Sequence, residues 1–214
     1  MKFSASGLLF DNDGVLVDSH EAAIAAWATW SSEYAPGWDW NSSENAGVRA
    51  EDKVREHVAP ELFAEANDRI NQLEQDTAGQ TVALGGAFEL LHSLRPGIWT
   101  VCTSANVNLG KARLEAAGLP VPAELVSASD VKRGKPFPDP YLLGAERLGF
   151  NIHDCVVFED AIAGVQAAIE AEAGLIIGVS ERALLSDADI VVRDLTGITF
   201  DGETLVIPDN NRLR

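Results

Sequence analysis

The sequence predicts an α/β chain: a mainly parallel sheet core interrupted near its start by a helical insert. Three observations carry that expectation. Short apolar runs alternate with helical stretches from about residue 85 to residue 192. One similar run, Gly7-Leu8-Leu9-Phe10, stands alone near the N-terminus. Residues 18 to 84, between them, show helical spacing and no strand. Strands alternating with helices imply right-handed crossovers and hence a parallel sheet. The expected division is 1–17 and 85–214 for the α/β core, with 18–84 as a helical cap.

Each element has its own signal. Gly7 to Phe10 reads as a short buried strand. Asp18 and Glu21 resemble a capping pair opening a helix through Tyr34. Pro60 to Asp76 places Leu62, Phe63, Ala66, Ile70 and Leu73 on one helical face. Trp27, Trp30, Trp38 and Trp40 fall in the insert. Most are expected to pack its own small core, with one free to wall a pocket. Gly85 to Leu94 has Phe88, Leu91 and Leu94 at helical spacing, and Ile98 to Cys102 reads as a strand. Asn106 to Ala117 reads as a helix stopped by Gly118. Leu125 to Ser127 reads as a short strand. Pro138 to Leu148 is a helix with Pro138 near its start and Gly149 after its end. Cys155 to Phe158 is a strand and Ala161 to Ala171 a helix. Leu175 to Val179 and Asp189 to Val192 complete the strands.

Composition narrows the function. The chain has 214 residues and is 46% hydrophobic, enough to bury a sizeable core. Its 33 acids against 16 bases give a net charge of -17. Nucleic acid and acidic membrane surfaces are therefore excluded as partners. An anion site on such a chain must be cationic locally. Cys102 and Cys155 lie in apolar runs and read as buried thiols, not a disulfide framework. Met1 to Gly7 lack the apolar stretch of a signal peptide, and no run of about 18 apolar residues predicts a membrane span. A cytoplasmic monomer is the expectation.

The chemistry gathers at strand ends. In open parallel sheets, ligands bind beyond the carboxyl ends of the strands. The first strand ends in Asp11-Asn12-Asp13-Gly14. Alternation along extended chain turns Asn12 away and brings the two acids to one small volume. Two close carboxylates need a cation or a shared proton. Alone, the motif reads equally as a strand followed by an Asp-rich turn. The strand at 98–102 ends in Thr103-Ser104, and the strand at 155–158 in Glu159-Asp160. Lys132-Arg133-Gly134-Lys135-Pro136 then puts three bases within four residues. Taken alone it is a solvated basic loop. Lys135, held between Gly134 and Pro136, suits a fixed point charge opposite a phosphate.

Together these segments resemble the four motifs of the haloacid dehalogenase-like hydrolase superfamily, in the family's order. They are Asp11-x-Asp13-Gly14-Val15 with Asp18-Ser19, Thr103-Ser104, Gly134-Lys135-Pro136-x-Pro138-Asp139, and Phe158-Glu159-Asp160-x-x-x-Gly164. The resemblance spans nearly the whole chain. It implies a Rossmann-like core with a helical cap between the first and second motifs. It also implies that Asp11 is the nucleophile and Asp13 the general acid/base. Asp11, the backbone carbonyl of Asp13, and Asp160 would hold Mg2+, with Glu159 assisting through water or as a further ligand. Thr103, the Ser104 backbone N–H and Lys135 would hold the phosphoryl oxygens of a small phosphorylated metabolite. Family dehalogenases and phosphonate hydrolases lack the second acid, so Asp13 favours phosphate-ester chemistry.

The resemblance leaves two rivals to a phosphatase. A hexose-phosphate mutase such as β-phosphoglucomutase usually carries a cap His twelve residues after the nucleophile; here that residue is Ala23, with His20 off the register. The mutase cap also uses a lysine, and the insert's only lysine is Lys53. Both departures speak against a mutase. Gly47-Val48-Arg49-Ala50-Glu51-Asp52 instead resembles the cap loop of phosphatases acting on 2-deoxyglucose 6-phosphate, glycerol phosphate and other small sugar or polyol monophosphates. Arg49 reads either as a substrate contact or as a surface arginine. A non-catalytic sugar-phosphate binder is the remote alternative, which the intact motifs oppose.

Overall fold

The computed structural model describes residues 1–41 and 45–214. Its strands are β1 (Lys2–Ser4), β2 (Gly7–Phe10), β3 (Val17–Asp18), β4 (Val82–Ala83), β5 (Trp99–Val101), β6 (Cys155–Glu159), β7 (Leu175–Val179), β8 (Ile190–Val192), β9 (Thr199–Phe200) and β10 (Thr204–Val206). Its helices are α1 (His20–Tyr34), α2 (Ala50–His57), α3 (Phe63–Thr77), α4 (Ala87–Ser93), α5 (Val107–Ala116), α6 (Asp139–Leu148) and α7 (Ile162–Glu170).

The central sheet is parallel throughout, in the order β5-β2-β6-β7-β8. All four residues of β2 are buried. Leu8 and Phe10 pack into one layer and Leu9 into the other, as strand alternation demands. The first layer adds Leu90 and Leu91 of α4 and Leu114 of α5. The second adds Tyr141 of α6 and Val165 and Ala168 of α7. Helices thus cover both faces, which is why these strands read as continuous apolar runs. Cys102 and Cys155 are buried free thiols in the second layer.

Helices α1, α2 and α3 share a third cluster, built on Trp27, Trp30, Val54, Ala66 and Ile70. Trp38 and Trp40 pack against its edge. Trp27, Trp30 and Trp38 meet edge-on, with centroids 5.4 to 5.9 Å apart. The tryptophans of the insert therefore make its core, while Trp27 and Trp40 also face the main cavity.

Several local expectations need correction. Asp18 ends β3 and also caps α1 from one residue further back than an N-cap, its Oδ1 accepting from the His20 N–H at 3.2 Å, while Ser19 flanks the helix without a side-chain cap. The Ser19 hydroxyl donates to Asp13 instead, 2.6 Å away. Residues 18 to 84 are not free of strand, because β3 and β4 form a two-residue antiparallel ribbon at the insert's base. Pairs that short have no period to read. Helix α2 was not anticipated, since only Val54 of its eight residues is buried. Leu62 is 46% exposed: Pro60–Leu62 is a 3-10 turn, out of register with the α3 face. Leu125 to Ser127 is not a strand but a single bridge between Val126 and Cys102. Ser127 instead starts a 3-10 turn, closed by a capping box with Asp130. The antiparallel sheet β1-β10-β9 also lay outside the sequence reading.

Candidate active site

The register of the sheet assembles the site. Phe10 pairs with Val101 on one side and Phe158 on the other, so three strands end level. Asp11 and Glu159-Asp160 follow those pairs at once. Strands β2 and β6 are neighbours although β5 separates them in sequence, which makes their junction the switch point where such sheets hold ligands. The Asp11 N–H donates to the Phe158 carbonyl at 2.9 Å, locking the two ends together. Gly14 has φ +88°, and a Cβ there would overlap the Asp160 carboxylate. Gly164 sits as tightly against Glu159. Both motif glycines let backbone approach a buried acid.

Lys135 lies at the centre. Its Nζ is 2.5 Å from Asp11 and 2.6 Å from Glu159. Burial opposes its charge, but the two carboxylates outweigh burial and raise its pKa. Glu159 is wholly buried, with each oxygen partnered. Its Oε1 accepts from Lys135 and from the Tyr141 hydroxyl at 2.7 Å, and its Oε2 accepts from the Ala161 N–H at 3.1 Å. Burial holds the Asp11 carboxyl well above the usual range, against the pull of Lys135. Burial, then Glu159, pushes Asp160 up to about 7, while Arg182, 3.3 Å away, opposes them.

Asp13 is held apart from that cluster. Its Oδ1 accepts from Ser19 and, at 3.0 Å, from Arg113 of α5. Its Oδ2 has no protein partner among the described residues. Arg113 is buried and also reaches Glu74 of α3 at 3.3 Å, so one guanidinium ties a core helix, the acid loop and the insert together. Burial raises the Glu74 pKa, with Arg113 and Lys53 opposing.

A cavity of about 830 Å³ opens over these groups, between the sheet edge and the insert. Of the expected site residues, Asp11, Asp13, Ser104, Arg49 and Asp160 line it. Thr103, Lys135 and Glu159 lie beneath this lining, nearly or fully buried. Thr103 Oγ1 accepts from the Ala105 N–H at 3.1 Å, and the Ser104 hydroxyl donates to the Gly47 carbonyl of the insert at 2.6 Å. The Arg49 guanidinium is engaged on every nitrogen. It pairs bidentately with Asp52 at 2.7 and 2.9 Å. It also donates to the carbonyls of Ala128, Val131 and Lys132. Arg49 thus fastens the insert to the core loop that leads to Lys135.

Donor chemistry tests the fit of a metal. Asp11, Glu159 and Asp160 each offer an oxygen within 4.8 Å of the others. Three buried acids share one buried lysine and the half-exposed Arg182, so the cluster is short of positive charge. All-oxygen donors of this kind fit a hard divalent cation. The Asp13 side chain is not among them and points to Ser19 and Arg113.

Arg113, Glu74, Tyr141, Arg182 and Ser19 complete the site, and sequence reasoning did not single out their roles. Arg113 lies in a helix whose burial gives no sign of a charged partner. Tyr141 reads as an ordinary core residue of α6.

Comparison with known proteins agrees with this geometry. A family model described as haloacid dehalogenase-like hydrolase matches residues 5–172. The chain is 38% identical over 200 residues to hexitol phosphatase A of Escherichia coli, covering 90% of this chain and 93% of that one. It is 30% identical over 223 residues to glycerol-1-phosphate phosphohydrolase 2 of Saccharomyces cerevisiae, covering 94% and 87%. A β-phosphoglucomutase structure from Clostridium difficile superposes with a TM-score of 0.77, over 89% of this chain and 92% of that one, at 19% identity. That last likeness is one of fold alone.

Proposed function

Because this chain belongs to the haloacid dehalogenase-like hydrolases, we propose that it is a Mg2+-dependent phosphatase of small sugar or polyol monophosphates. One observation carries the reading: two acids, Asp11 and Asp13, face one cavity with different partners. Asp11 beside Lys135 suits a nucleophile, and Asp13, with Oδ2 unpartnered, suits a proton carrier.

The reaction then divides in two. An Asp11 oxygen attacks phosphorus, the ester P–O bond breaks, and its electron pair leaves on the alkoxide. Asp13 delivers a proton to that alkoxide, releasing the alcohol. Water next attacks the phosphorus of the aspartyl phosphate and gives its proton to Asp13, while the Asp11 O–P bond breaks, freeing inorganic phosphate and restoring the Asp11 carboxylate. Ser19 and Arg113 aim Asp13 for both transfers. Lys135, Thr103 and the Ser104 N–H are assigned to the phosphoryl oxygens, with Glu159 and Tyr141 holding Lys135 in place. Asp11, Asp160 and the backbone carbonyl of Asp13 would hold Mg2+, with Glu159 next to them. The ion supplies charge neutralisation at the phosphoryl group when bound. Residues 18–84 serve as the cap in this scheme. Arg49 anchors the cap, which fits its partners better than a substrate contact does.

The mutase alternative has less support. Ala23 lines the cavity where the mutase pattern has His. The test follows phosphate release and β-glucose 1-phosphate isomerisation in one NMR tube. Phosphate release from small polyol and sugar phosphates is expected to dominate. Isomerisation much faster than release overturns the assignment.

A further inference from the structure

The proposed chemistry uses the floor of the cavity and leaves most of the insert's wall, Glu74's hold on Arg113 aside, without a task. That wall comes from α2 and α3. Lys53 of α2 and Asn67, Asn71 and Glu74 of α3 line it. The α3 residues follow at intervals of four and three, so they share one helical face. Ala66 and Ile70 of the same helix turn to the insert's own core.

Three polar groups on this wall keep an unpartnered atom among the described residues. The Lys53 ammonium lies 4.9 Å over the Trp27 ring and forms no hydrogen bond or ion pair among the described residues. Burial lowers its pKa to about 8, with Glu74 pulling the other way. It is still charged at pH 7, and holding it there costs stability. The Asn67 Oδ1 is buried with no partner among the described residues. Glu74 Oε1 accepts from Arg113, while Oε2 has no partner among the described residues. The wall therefore presents an ammonium, an amide and a carboxylate, each with hydrogen-bonding capacity to spare.

That mixture selects a chemistry. A hydroxyl accepts from an ammonium and donates to an amide or carboxylate oxygen. A second phosphate or a carboxylate only accepts, and it would set its charge against Glu74. Neighbouring hydroxyls satisfy all three groups at once.

We propose that Lys53, Asn67 and Glu74 form a hydroxyl-reading subsite, which grips the carbon chain of a neutral polyol monophosphate whose phosphate lies at Asp11. The inference rests on the phosphatase reading and adds the residues that choose the ester. Selection comes from what a poor substrate leaves undone. A chain without hydroxyls leaves an ammonium, an amide and a carboxylate unsatisfied in a half-buried wall, and sites of that kind discriminate.

The test compares four esters: sorbitol 6-phosphate, hexyl phosphate, 6-phosphogluconate and p-nitrophenyl phosphate. The readout is the ratio of kcat/KM for sorbitol 6-phosphate to that for hexyl phosphate. The wild-type ratio is expected to be about 100 or more. Lys53→Met and Asn67→Leu are each expected to lower it about tenfold, and the pair together to lower it further. Neither change opens a core cavity, and melting curves verify folding, so the test stands on whichever variants fold. A wild-type ratio near one, or ratios unmoved in both folded variants, overturns the subsite. So does a preference for 6-phosphogluconate that Lys53→Met abolishes, which marks Lys53 as an anion site. Absence of phosphate release from p-nitrophenyl phosphate in the wild type defeats the phosphatase reading itself, and the subsite with it. Release from p-nitrophenyl phosphate without discrimination defeats the subsite alone.

Discussion

At the end of β2, Asp11 has one lysine beside it and two further carboxylates nearby. Asp11→Asn keeps the shape and removes the charge that the proposed reaction needs for attack. Turnover is expected to fall about a thousandfold or more, with the fold retained. Phosphate release measured on a folded sample, with deamidation excluded by mass spectrometry, checks this. The cysteines carry an opposite prediction. Burial pushes the Cys102 and Cys155 thiols up to about 12. At pH 8 both are protonated, and thiolate is the reactive form. Iodoacetamide is expected to leave the native protein unlabelled and to label both residues in denaturant, where the pKa returns to about 8.5. Rapid labelling of the native state at pH 8 contradicts that burial. At this scale the sequence was most legible, since strand alternation and strand ends single out Asp11, Asp13, Glu159 and Asp160, which the structure gathers at one end of the sheet. Arg113 was not legible. Its partners Asp13 and Glu74 lie 100 and 39 residues away, and no local pattern encodes such a meeting.

Between elements, Arg113 is the joint that binds α5, the acid loop and α3. Arg113→Met leaves Glu74 buried without its guanidinium. Removing one partner of a buried pair costs about 3 kcal/mol or more. The melting temperature is expected to fall by about 6 °C or more in a chain of this size. Adding Glu74→Leu removes the stranded carboxylate and is expected to restore most of that loss. Turnover is expected to stay low in the double variant, because Asp13 still lacks one of the two groups that aim it. Thermal melts and phosphate release, measured on single and double variants, separate the two effects. Recovery of both together assigns Arg113 a structural part only. Helix α5 itself was legible to within a residue, from Asn106 at its start and Gly118 after its end. Helix α2 was not, because a short polar helix resting on one buried valine shows no apolar period.

For the whole molecule, charge sets the problem. A chain of net charge -17 repels anions at a distance, yet Lys135, Arg113, Arg182 and Lys53 gather on or under one cavity. Mg2+ is expected to complete that balance. At a hundred times its dissociation constant it adds about 2.7 kcal/mol to stability, or about 5 to 10 °C in melting temperature. EDTA is expected to reverse the shift and stop turnover. Melting and turnover unchanged by exhaustive chelation remove the ion from the scheme. The parallel sheet and the helical segment within it were legible from apolar runs and their period. The order β5-β2-β6 was not, because neighbours in a sheet are chosen by crossovers and not by local sequence. The small sheet β1-β10-β9 joins the two ends of the chain through strands of two and three residues, too short to announce themselves.

The aromatic cluster of the insert makes the molecule its own optical probe. Four of the five tryptophans, Trp27, Trp30, Trp38 and Trp40, belong to that segment, and the fifth, Trp99, is buried in β5. Trp27 faces both the cavity and the Lys53 ammonium, and Trp40 borders the cavity. Any molecule that enters changes the polarity around those two indoles and leaves Trp99 as a constant background. Occupancy is therefore readable from native emission, without dye or turnover, and a Trp27→Phe protein supplies the blank.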